Sequence, residues 1–400
     1  MKPSKTPRKG LWQGILAALL ISLAGALIFL ALGLPVPWLL GPMLASLIGS
    51  NLLRGRYAWP AKIRNGAMIV IGYTIGLALT GEALRRMGAQ IPYIVLMTFL
   101  LLLLCAGIAF VIGRLSGTDF KTSLLGSVPG GLSQMVIIAE ETKGADLTIV
   151  TVNQVLRLLL IIVAIPLLIY SPLFGQHSAE AAQAAVQTKV PWSGLFPNIL
   201  VYAPLCVLLA LLGKKVRFPT AFLLGPAFGT ALLQATGFHA PALPAGLIAA
   251  AQLAMGTYVG MLLKPAQIQN KVRTLSLALL SSILLLIGSI LLTVLLTRVQ
   301  PVTSATALLS LAPGGMDQMG VIAHSIGAEL STVTGYQLFR TFFIFFAIPP
   351  LLRLLFRYTD KRAGADTAAR RTDTAAARPV GRAGSGRLTG SEPKQAGKRE

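Results

Sequence analysis

The sequence predicts an all-α polytopic membrane protein made of two tandem repeats, with about ten transmembrane helices and two broken or re-entrant Pro-Gly-Gly segments. Hydrophobic residues make up 54% of the 400 residues and charged residues 12%, against roughly 25% charged residues in a typical soluble domain. Three runs, 11–34, 91–113 and 274–297, carry no charge and are long enough to cross a hydrocarbon core of about 30 Å. The motif PGGLSQM at 129–135 returns as PGGMDQM at 313–319.

The repeat extends well beyond this motif. Further matches share the same offset of 184 positions: Pro35 with Pro219, the LLGP string at 39–42 with that at 223–226, and Gly72 and Gly76 with Gly256 and Gly260. After one deletion, GADLTIVTVNQVLR at 144–157 matches GAELSTVTGYQLFR at 327–340. Paired glycines four residues apart favour close helix packing. Two long membrane repeats, each interrupted at the same place, are typical of transport proteins built by duplication.

The predicted spans follow the apolar runs in order. In the first repeat, 11–170, they lie near 11–34, 37–53, 66–80, 92–113 and 147–170. In the second repeat, 194–356, they lie near 194–212, 219–234, 242–263, 274–297 and 332–356. The Pro-Gly-Gly segments, near 122–142 and 304–325, are apolar but broken, and they either cross the membrane or dip in and return. A short terminus, 1–10, precedes the first repeat, and a polar loop, 171–193, joins the two repeats.

Loop charge favours one of these topologies. If both Pro-Gly-Gly segments dip and return, each repeat has five spans, the second repeat is inverted, and four basic loop residues lie outside: Arg85, Arg86, Lys189 and Arg298. If the segments cross, the repeats are parallel and nine basic residues lie outside. Cytoplasmic loops carry an excess of Lys and Arg. The charges therefore favour inverted repeats with both termini in the cytoplasm.

Basic residues before the first apolar run imitate a signal peptide. However, the second repeat has a span at the corresponding place, 194–212. We therefore expect the first span to be retained as part of the duplicated unit.

The net charge of +22 does not indicate a nucleic-acid partner. Eleven of the 35 basic residues lie in the tail, 357–400, which has few bulky apolar residues. Such a composition cannot bury enough surface to fold. We expect a disordered basic tail in the cytoplasm, where its charges favour contact with anionic lipid headgroups.

The Pro-Gly-Gly segments are the first candidates for a binding site. Proline removes a backbone donor and glycine weakens a helix, and backbone groups in hydrocarbon need partners. A break in the membrane therefore indicates a cavity or a protein enclosure, and the half-helix that follows it presents free amides. The alternative is a simple helix kink. The candidate residues are Pro129, Gly130, Gly131, Ser133 and Gln134 in the first copy and Pro313, Gly314, Gly315, Asp317 and Gln318 in the second.

Arg157 and Arg340 lie about ten residues into apolar helices, roughly 15 Å from each helix start. A charge near the middle of the membrane needs a partner or a wet cavity. One interpretation is an anion clamp, because guanidinium binds carboxylate or phosphate in a fork. The other is a structural bond, either to a carboxylate such as Glu140, Glu141 or Asp317, or to free carbonyl groups of the broken segment.

Asp317 breaks the symmetry of the repeats, since Ser133 occupies the equivalent position. A carboxylate beside a half-helix in the membrane can carry a proton or bind sodium as a coupling ion. It can equally neutralise Arg340. The sequence leaves these alternatives open.

The two PGG motifs, each with LLGP upstream, resemble those of the AbrB duplication family of bacterial membrane proteins, and the resemblance covers about 10–356. The resemblance implies a multi-pass protein of the bacterial inner membrane. The family carries the labels "ammonia monooxygenase" and regulator, although its usual physical interpretation is transport. The positions that match are Pro129, Gly130, Gly131 and Gln134, with Pro313, Gly314, Gly315 and Gln318.

We therefore expect a secondary transporter of a small anionic or polar metabolite, with a site where the two Pro-Gly-Gly segments meet. The sequence contains no nucleotide-binding loop. The alternative is a non-transporting membrane sensor that affects gene expression indirectly. The expected partners are the lipid bilayer, the substrate and, as an open alternative, H⁺ or Na⁺. A homo-oligomer is also left open.

The sequence argues against an enzyme. A copper or iron monooxygenase needs clustered ligands, but the three histidines are His177, His239 and His324, and the two cysteines, Cys105 and Cys206, stand alone in apolar spans. We expect no catalytic residue, metal, cofactor or nucleic-acid partner.

Overall fold

The computed structural model describes residues 8–53, 57–130, 132–142, 144–171, 192–216, 218–238, 240–263, 271–352 and 354. Within these ranges the regular secondary structure is entirely helical. The chain divides into one unit of residues 1–349 and a second of residues 350–400. The whole of the predicted tail, 357–400, and most of the predicted loop between the repeats, 171–193, lie outside the described residues.

Each repeat contributes seven α-helices among the described residues. The first repeat forms α1 (Arg8–Ala31), α2 (Pro37–Leu52), α3 (Ala61–Ala78), α4 (Gly81–Ser116), α5 (Phe120–Ser127), α6 (Leu132–Glu141) and α7 (Leu147–Ile169). After a 3₁₀ turn at Trp192–Leu195, the second repeat forms α8 (Ile199–Lys215), α9 (Ala221–Ala235), α10 (Ala245–Gly260), α11 (Lys271–Val299), α12 (Ser304–Leu311), α13 (Met316–Ser325) and α14 (Leu330–Phe346). The order of the helices is the same in both repeats, and the two short helices of each Pro-Gly-Gly segment have the same lengths, 8 and 10 residues.

The helices confirm the predicted polytopic class. Four of them are long and apolar enough to cross a membrane by length and composition: Leu11–Ala31, Gly81–Ser116, Leu147–Ile169 and Val272–Val299. The remaining unbroken helices have 15–18 residues, which is about 22–27 Å at 1.5 Å per residue. They are therefore slightly shorter than a hydrocarbon core of about 30 Å.

The predicted loop that holds Arg85 and Arg86 is instead helical, because α4 begins at Gly81. The side chain of Thr80 accepts a hydrogen bond from the Ala83 N–H and so caps this end of the helix. A capping threonine satisfies one of the free amides of a first helical turn. Arg86 also pairs with Glu82 one turn earlier. The local cap thus extends α4 to 36 residues, well beyond its apolar run.

Each Pro-Gly-Gly segment is a hairpin of two short helices. In the first hairpin, α5 and α6, the Thr122 hydroxyl near the start of α5 accepts the N–H of Asp146, which follows α6, at 3.0 Å. In the second hairpin, α12 and α13, the Thr306 hydroxyl accepts the N–H of Glu329 at 3.2 Å. The chain therefore enters and leaves each hairpin at the same level. Both segments are re-entrant rather than crossing, so each repeat has five spans and the second repeat is inverted relative to the first.

The two repeats meet through reciprocal helix crossings. A Cβ atom on Gly72 of α3 would collide with the backbone carbonyl of Leu223 in α9, and one on Gly256 of α10 would collide with that of Leu39 in α2. Leu39 and Leu223 are themselves equivalent positions. The missing side chains let the backbones touch, which confirms the packing role expected for these glycines.

Close packing also joins neighbours within each repeat. Gly25 of α1 and Gly41 of α2 face each other with no room for a Cβ on either, and Gly225 of α9 faces the backbone of Leu209 in α8. Buried apolar side chains from α2, α3, α7, α9, α10, α13 and α14 form one continuous core. The ten helices outside the hairpins, α1–α4, α7–α11 and α14, form the scaffold on which the hairpins sit.

Replacing Gly256 with alanine should lower the free energy of unfolding by about 1–3 kcal/mol, because the added methyl group forces α10 away from α2. Denaturant titration of the protein in detergent measures this loss. Gly107→Ala is the matched control, since a Cβ at Gly107 of α4 meets no atom within 4 Å and alanine favours a helix. Equal stability of the two variants would contradict the proposed crossing.

Candidate functional site

The candidate site is built around the tips of the two hairpins. In the first hairpin α5 ends at Ser127, and in the second hairpin α12 ends at Leu311. Pro129 and Pro313 follow and are buried. Since proline and the glycines after it interrupt the helical hydrogen bonds, the last carbonyl groups of α5 and α12 are left without helical donors. In a membrane these carbonyl groups must find other partners.

Arg157 supplies donors to the first tip. Its Nη1 donates to the carbonyl oxygens of Ser127 at 3.3 Å and Val128 at 3.1 Å. Its Nη2 donates to Oε1 of Gln154, one turn earlier on α7, at 2.7 Å. The guanidinium therefore bridges α7 to the break and compensates the carbonyl groups that the break frees.

Gln154 completes this arrangement. Its Nε2 donates to the carbonyl oxygens of Leu125 at 2.7 Å and Val128 at 2.9 Å, while its Oε1 accepts from Arg157. The residue is 2% exposed. Both polar ends of the amide are thus satisfied in a buried environment, as burial requires.

The second repeat reproduces the same network. Arg340 donates through Nη1 to Ala312 O at 2.7 Å and through Nη2 to Gly314 O at 2.9 Å. Its Nη2 also contacts Oε1 of Gln337, and Gln337 Nε2 donates to Leu309 O at 2.7 Å. We call the four residues Gln154, Arg157, Gln337 and Arg340 the tip clamp.

The tip clamp matches one of the two interpretations of the arginines. The guanidinium groups bond to free carbonyls of the broken segments, and no described carboxylate lies within salt-bridge distance of either. The sequence analysis identified the arginines as candidates but not Gln154 and Gln337. Their signal was the repeated Gln-x-x-Arg pattern, because residues three apart lie on the same helix face.

The two arginines remain positively charged without a described counter-ion. Arg340 lies within electrostatic reach of Arg157, and both are at least 94% buried. Among the described buried groups without a hydrogen-bond partner are Nε of Arg157 and the hydroxyl of Ser127, whose carbonyl Arg157 binds. A polar ligand at the first tip would therefore find a free charged donor there.

The other predicted residues lie at the same tips. Gly130 packs against Met135, and Gly314 packs against Met319 and, across the repeats, Ile161 of α7. Gly131 lies outside the described residues, and the side chains of Ser133 and Gln134 are also outside the described part.

In the second hairpin the side chains of Asp317 and Gln318 fold back over Gly315. A Cβ on Gly315 would lie 2.6 Å from Asp317 Oδ1 and would also collide with Gln318 Oε1. An added Cβ would therefore push both side chains aside. The two side-chain oxygens thus converge above the first turn of α13, beside the tip held by Arg340.

The two hairpins differ in how well they are covered. Ile137 of α6 is 52% exposed, whereas its equivalent Val321 of α13 is 3% exposed. Glu140, one turn after Ile137, is also exposed, whereas its equivalent His324 is half-buried. The reason is that α13 packs against α3, whereas the described part of α6 has no comparable contact with α10.

A cavity of about 10 Å³ remains where α13 meets α3 and α10, between Ile71, Ile75, Gln252, Val321 and His324, among others. This volume is about that of one water-sized probe, so no metabolite fits. The second hairpin is therefore closed on this face, while the corresponding face of the first hairpin is open.

Comparisons with known proteins agree with this architecture. A family model described as "Transition state regulatory protein AbrB" matches residues 38–356, a range that contains both hairpins and the whole tip clamp. The chain belongs to the AbrB family. The resemblance noted from the PGG and LLGP motifs is thereby confirmed.

Two relatives match this chain over nearly their whole length. A protein of Escherichia coli (strain K12) named "Putative regulator AbrB" is 30% identical over 348 residues, which cover 86% of this chain and 97% of that protein. "Uncharacterized protein YhjN" of Bacillus subtilis (strain 168) is 26% identical over 374 residues, which cover 89% of this chain and 95% of that protein. The membrane unit is therefore shared as a whole.

Replacing Gln337 with leucine should lower the free energy of unfolding by about 1–3 kcal/mol, because the Leu309 carbonyl loses its side-chain donor in a buried environment. Gln154→Leu should have an effect of similar size in the first repeat. Denaturant titration of each variant in detergent tests this. Gln13→Leu is the control, since Gln13 is exposed, and losses no larger than the control's would contradict the role of the tip clamp.

Proposed function

We propose that this AbrB-family protein is a secondary transporter of a small anionic metabolite, which binds where the two hairpin tips approach each other. The observation that carries the proposal is the pair of buried guanidinium groups of Arg157 and Arg340. They lie within electrostatic reach of each other and have no described carboxylate partner. Backbone carbonyl groups accept hydrogen bonds from the Nη atoms of both arginines but do not cancel their charge.

An anion at this place would supply the missing negative charge. Buried charges in membrane proteins are expensive and mark substrate or ion pathways. The unpartnered Nε of Arg157 and hydroxyl of Ser127 offer donors in addition to the charge. Small carboxylate, phosphate or sulfate groups have the acceptor geometry that a guanidinium binds.

The unequal covering of the hairpins supports transport over static binding. Two inverted repeats of the same fold present one open hairpin face, at Ile137, and one closed face, at Val321. If the repeats exchange these arrangements, the site opens to the other side of the membrane. Alternating access of this kind is the usual mechanism of inverted-repeat transporters.

A regulator is the second candidate, because one relative is named as a regulator. In that case an anion binds to the tips and changes the conformation without crossing the membrane. The described helices leave no separate soluble domain between residues 8 and 349 through which to contact DNA. Flux and binding measured on the same preparation separate the two candidates.

The test begins with purified protein and a panel of small mono- and dicarboxylates, phosphate and sulfate. An anion that binds the folded state raises the unfolding temperature, and the increase grows with the ratio of its concentration to its Kd. The most strongly stabilising anion is then used, radiolabelled, to measure counterflow into proteoliposomes. We expect stabilisation by at least one anion and saturable counterflow.

Arg157→Gln and Arg340→Gln should each lower counterflow by at least about 10-fold, because each removes one of the two charges that hold the anion. Arg157→Lys and Arg340→Lys should keep more flux than the glutamine variants, since they retain the charge. Arg114→Gln is the matched control, because Arg114 is exposed and stacks on Phe110. Size-exclusion chromatography confirms that each variant is folded.

Native counterflow in both glutamine variants would refute the anion site. Anion binding with no counterflow in the wild-type protein would refute transport and favour the sensor.

A further inference from the structure

A second site lies one turn beyond the tip of the second hairpin. Oδ1 of Asp317 and Oε1 of Gln318 both lie over Gly315, so two oxygen acceptors face the same small space. The Oε1 atom of Gln318 is buried and has no hydrogen-bond partner, and the residue is 4% exposed. A buried acceptor without a donor is costly, because it has lost its hydrogen bonds to water.

A proton on Asp317 would remove this deficit. The carboxylic acid has one O–H donor, whereas the carboxylate has none. The neighbouring Oε1 of Gln318 is the acceptor that such a donor would meet. The structure thus places an unpaired hydrogen-bond acceptor beside the acid form of Asp317.

The charged form also has partners. The carboxylate lies beside the backbone N–H groups of Asp317 and Gln318 in the first turn of α13, and within electrostatic reach of Arg64 on α3. Free amides and the positive end of a helix favour an anion. Asp317 therefore has one set of interactions for each protonation state, which is what a reversible proton carrier requires.

The titratable and charged groups around Asp317 come from four packed elements. Arg64 reaches it from α3, with its guanidinium over the ring of Tyr258 on α10. Arg340 of α14 binds Gly314 O, three residues before Asp317, and Arg157 of α7 is within reach of Arg340. His324 lies two turns further along α13. Glu329 occupies the N-cap position of α14. In α12, residues 304–311 include no titratable residue.

We propose that Asp317 is the carrier of one coupling proton, and that its acid form donates a hydrogen bond to Oε1 of Gln318. Asp317 takes up H⁺ from water on one side of the membrane and releases it to water on the other side. No other covalent bond is formed or broken. The use of this proton to drive flux rests on the proposed transport function; the protonation itself does not.

A metal cation fits the site less well. Sodium would lie beside the positive end of α13 and the charge of Arg64, and the described residues offer it only two converging side-chain oxygens. The first repeat has Ser133 where the second has Asp317. We therefore expect one proton site in each chain rather than two.

Infrared difference spectroscopy on the protein in lipid vesicles tests protonation without any substrate. Exposed carboxyl groups are mostly ionised already at about pH 5, so difference spectra between about pH 5 and about pH 9 select a carboxyl group whose surroundings favour its acid form. That form has a C=O stretching band that the carboxylate lacks. We expect a pH-dependent acid band that disappears in Asp317→Asn and persists in Glu82→Gln, an exposed carboxylate control.

Gln318→Leu should shift that band to higher frequency, because the acid loses its hydrogen-bond acceptor. An unchanged band in Asp317→Asn, or the absence of an acid band in the wild-type protein, would overturn the proton site. Loss of the band on adding sodium at constant pH would show a metal-cation site instead. If Asp317→Asn lacks the band but counterflow in the wild type is absent, only the transport function fails.

Discussion

The rest of the structure depends on the hydrogen bonds that the tip clamp donates to the carbonyl groups freed at the two backbone breaks. Pro129 and Pro313 interrupt helices where hydrocarbon cannot hydrogen-bond the freed carbonyl groups. Arg157 and Arg340, each with a glutamine one turn before it, donate to those groups. Because the tips are held in this way, each segment can turn back, each repeat crosses five times, and the two hairpins enter from opposite sides.

The two repeats share a scaffold but not a hairpin environment. The glycine crossings of α3 with α9 and of α10 with α2 are nearly identical, so the scaffold keeps its symmetry. The hairpins do not, since Ile137 is open and Val321 is covered. Asp317 adds a chemical difference at the same place, because serine occupies the equivalent position. Structural and chemical asymmetry are therefore concentrated in the hairpins.

Much of this fold was predictable from sequence, for physical reasons. Long uncharged runs predicted the spans, the PGGLSQM and PGGMDQM motifs predicted breaks, and loop charge favoured re-entrant hairpins over crossing segments. The partners of the arginines were not predictable, since an anion clamp and a bond to carbonyls need the same residue at the same depth. The unequal exposure of the two hairpins could not be predicted either, because Ile137 and Val321 are both apolar. Transport, cytoplasmic termini and the inner membrane stay predictions.

The most direct test of the account is the accessibility of the hairpin ends from each side of the membrane. Single cysteines at Asp119, Asp146, Thr303 and Glu329, in a variant without Cys105 and Cys206, would be labelled with an impermeant maleimide in right-side-out and inverted vesicles. The account predicts that 119 and 146 react from one side and that 303 and 329 react from the other. Labelling of 119 and 146 from opposite sides would show crossing segments and contradict the account.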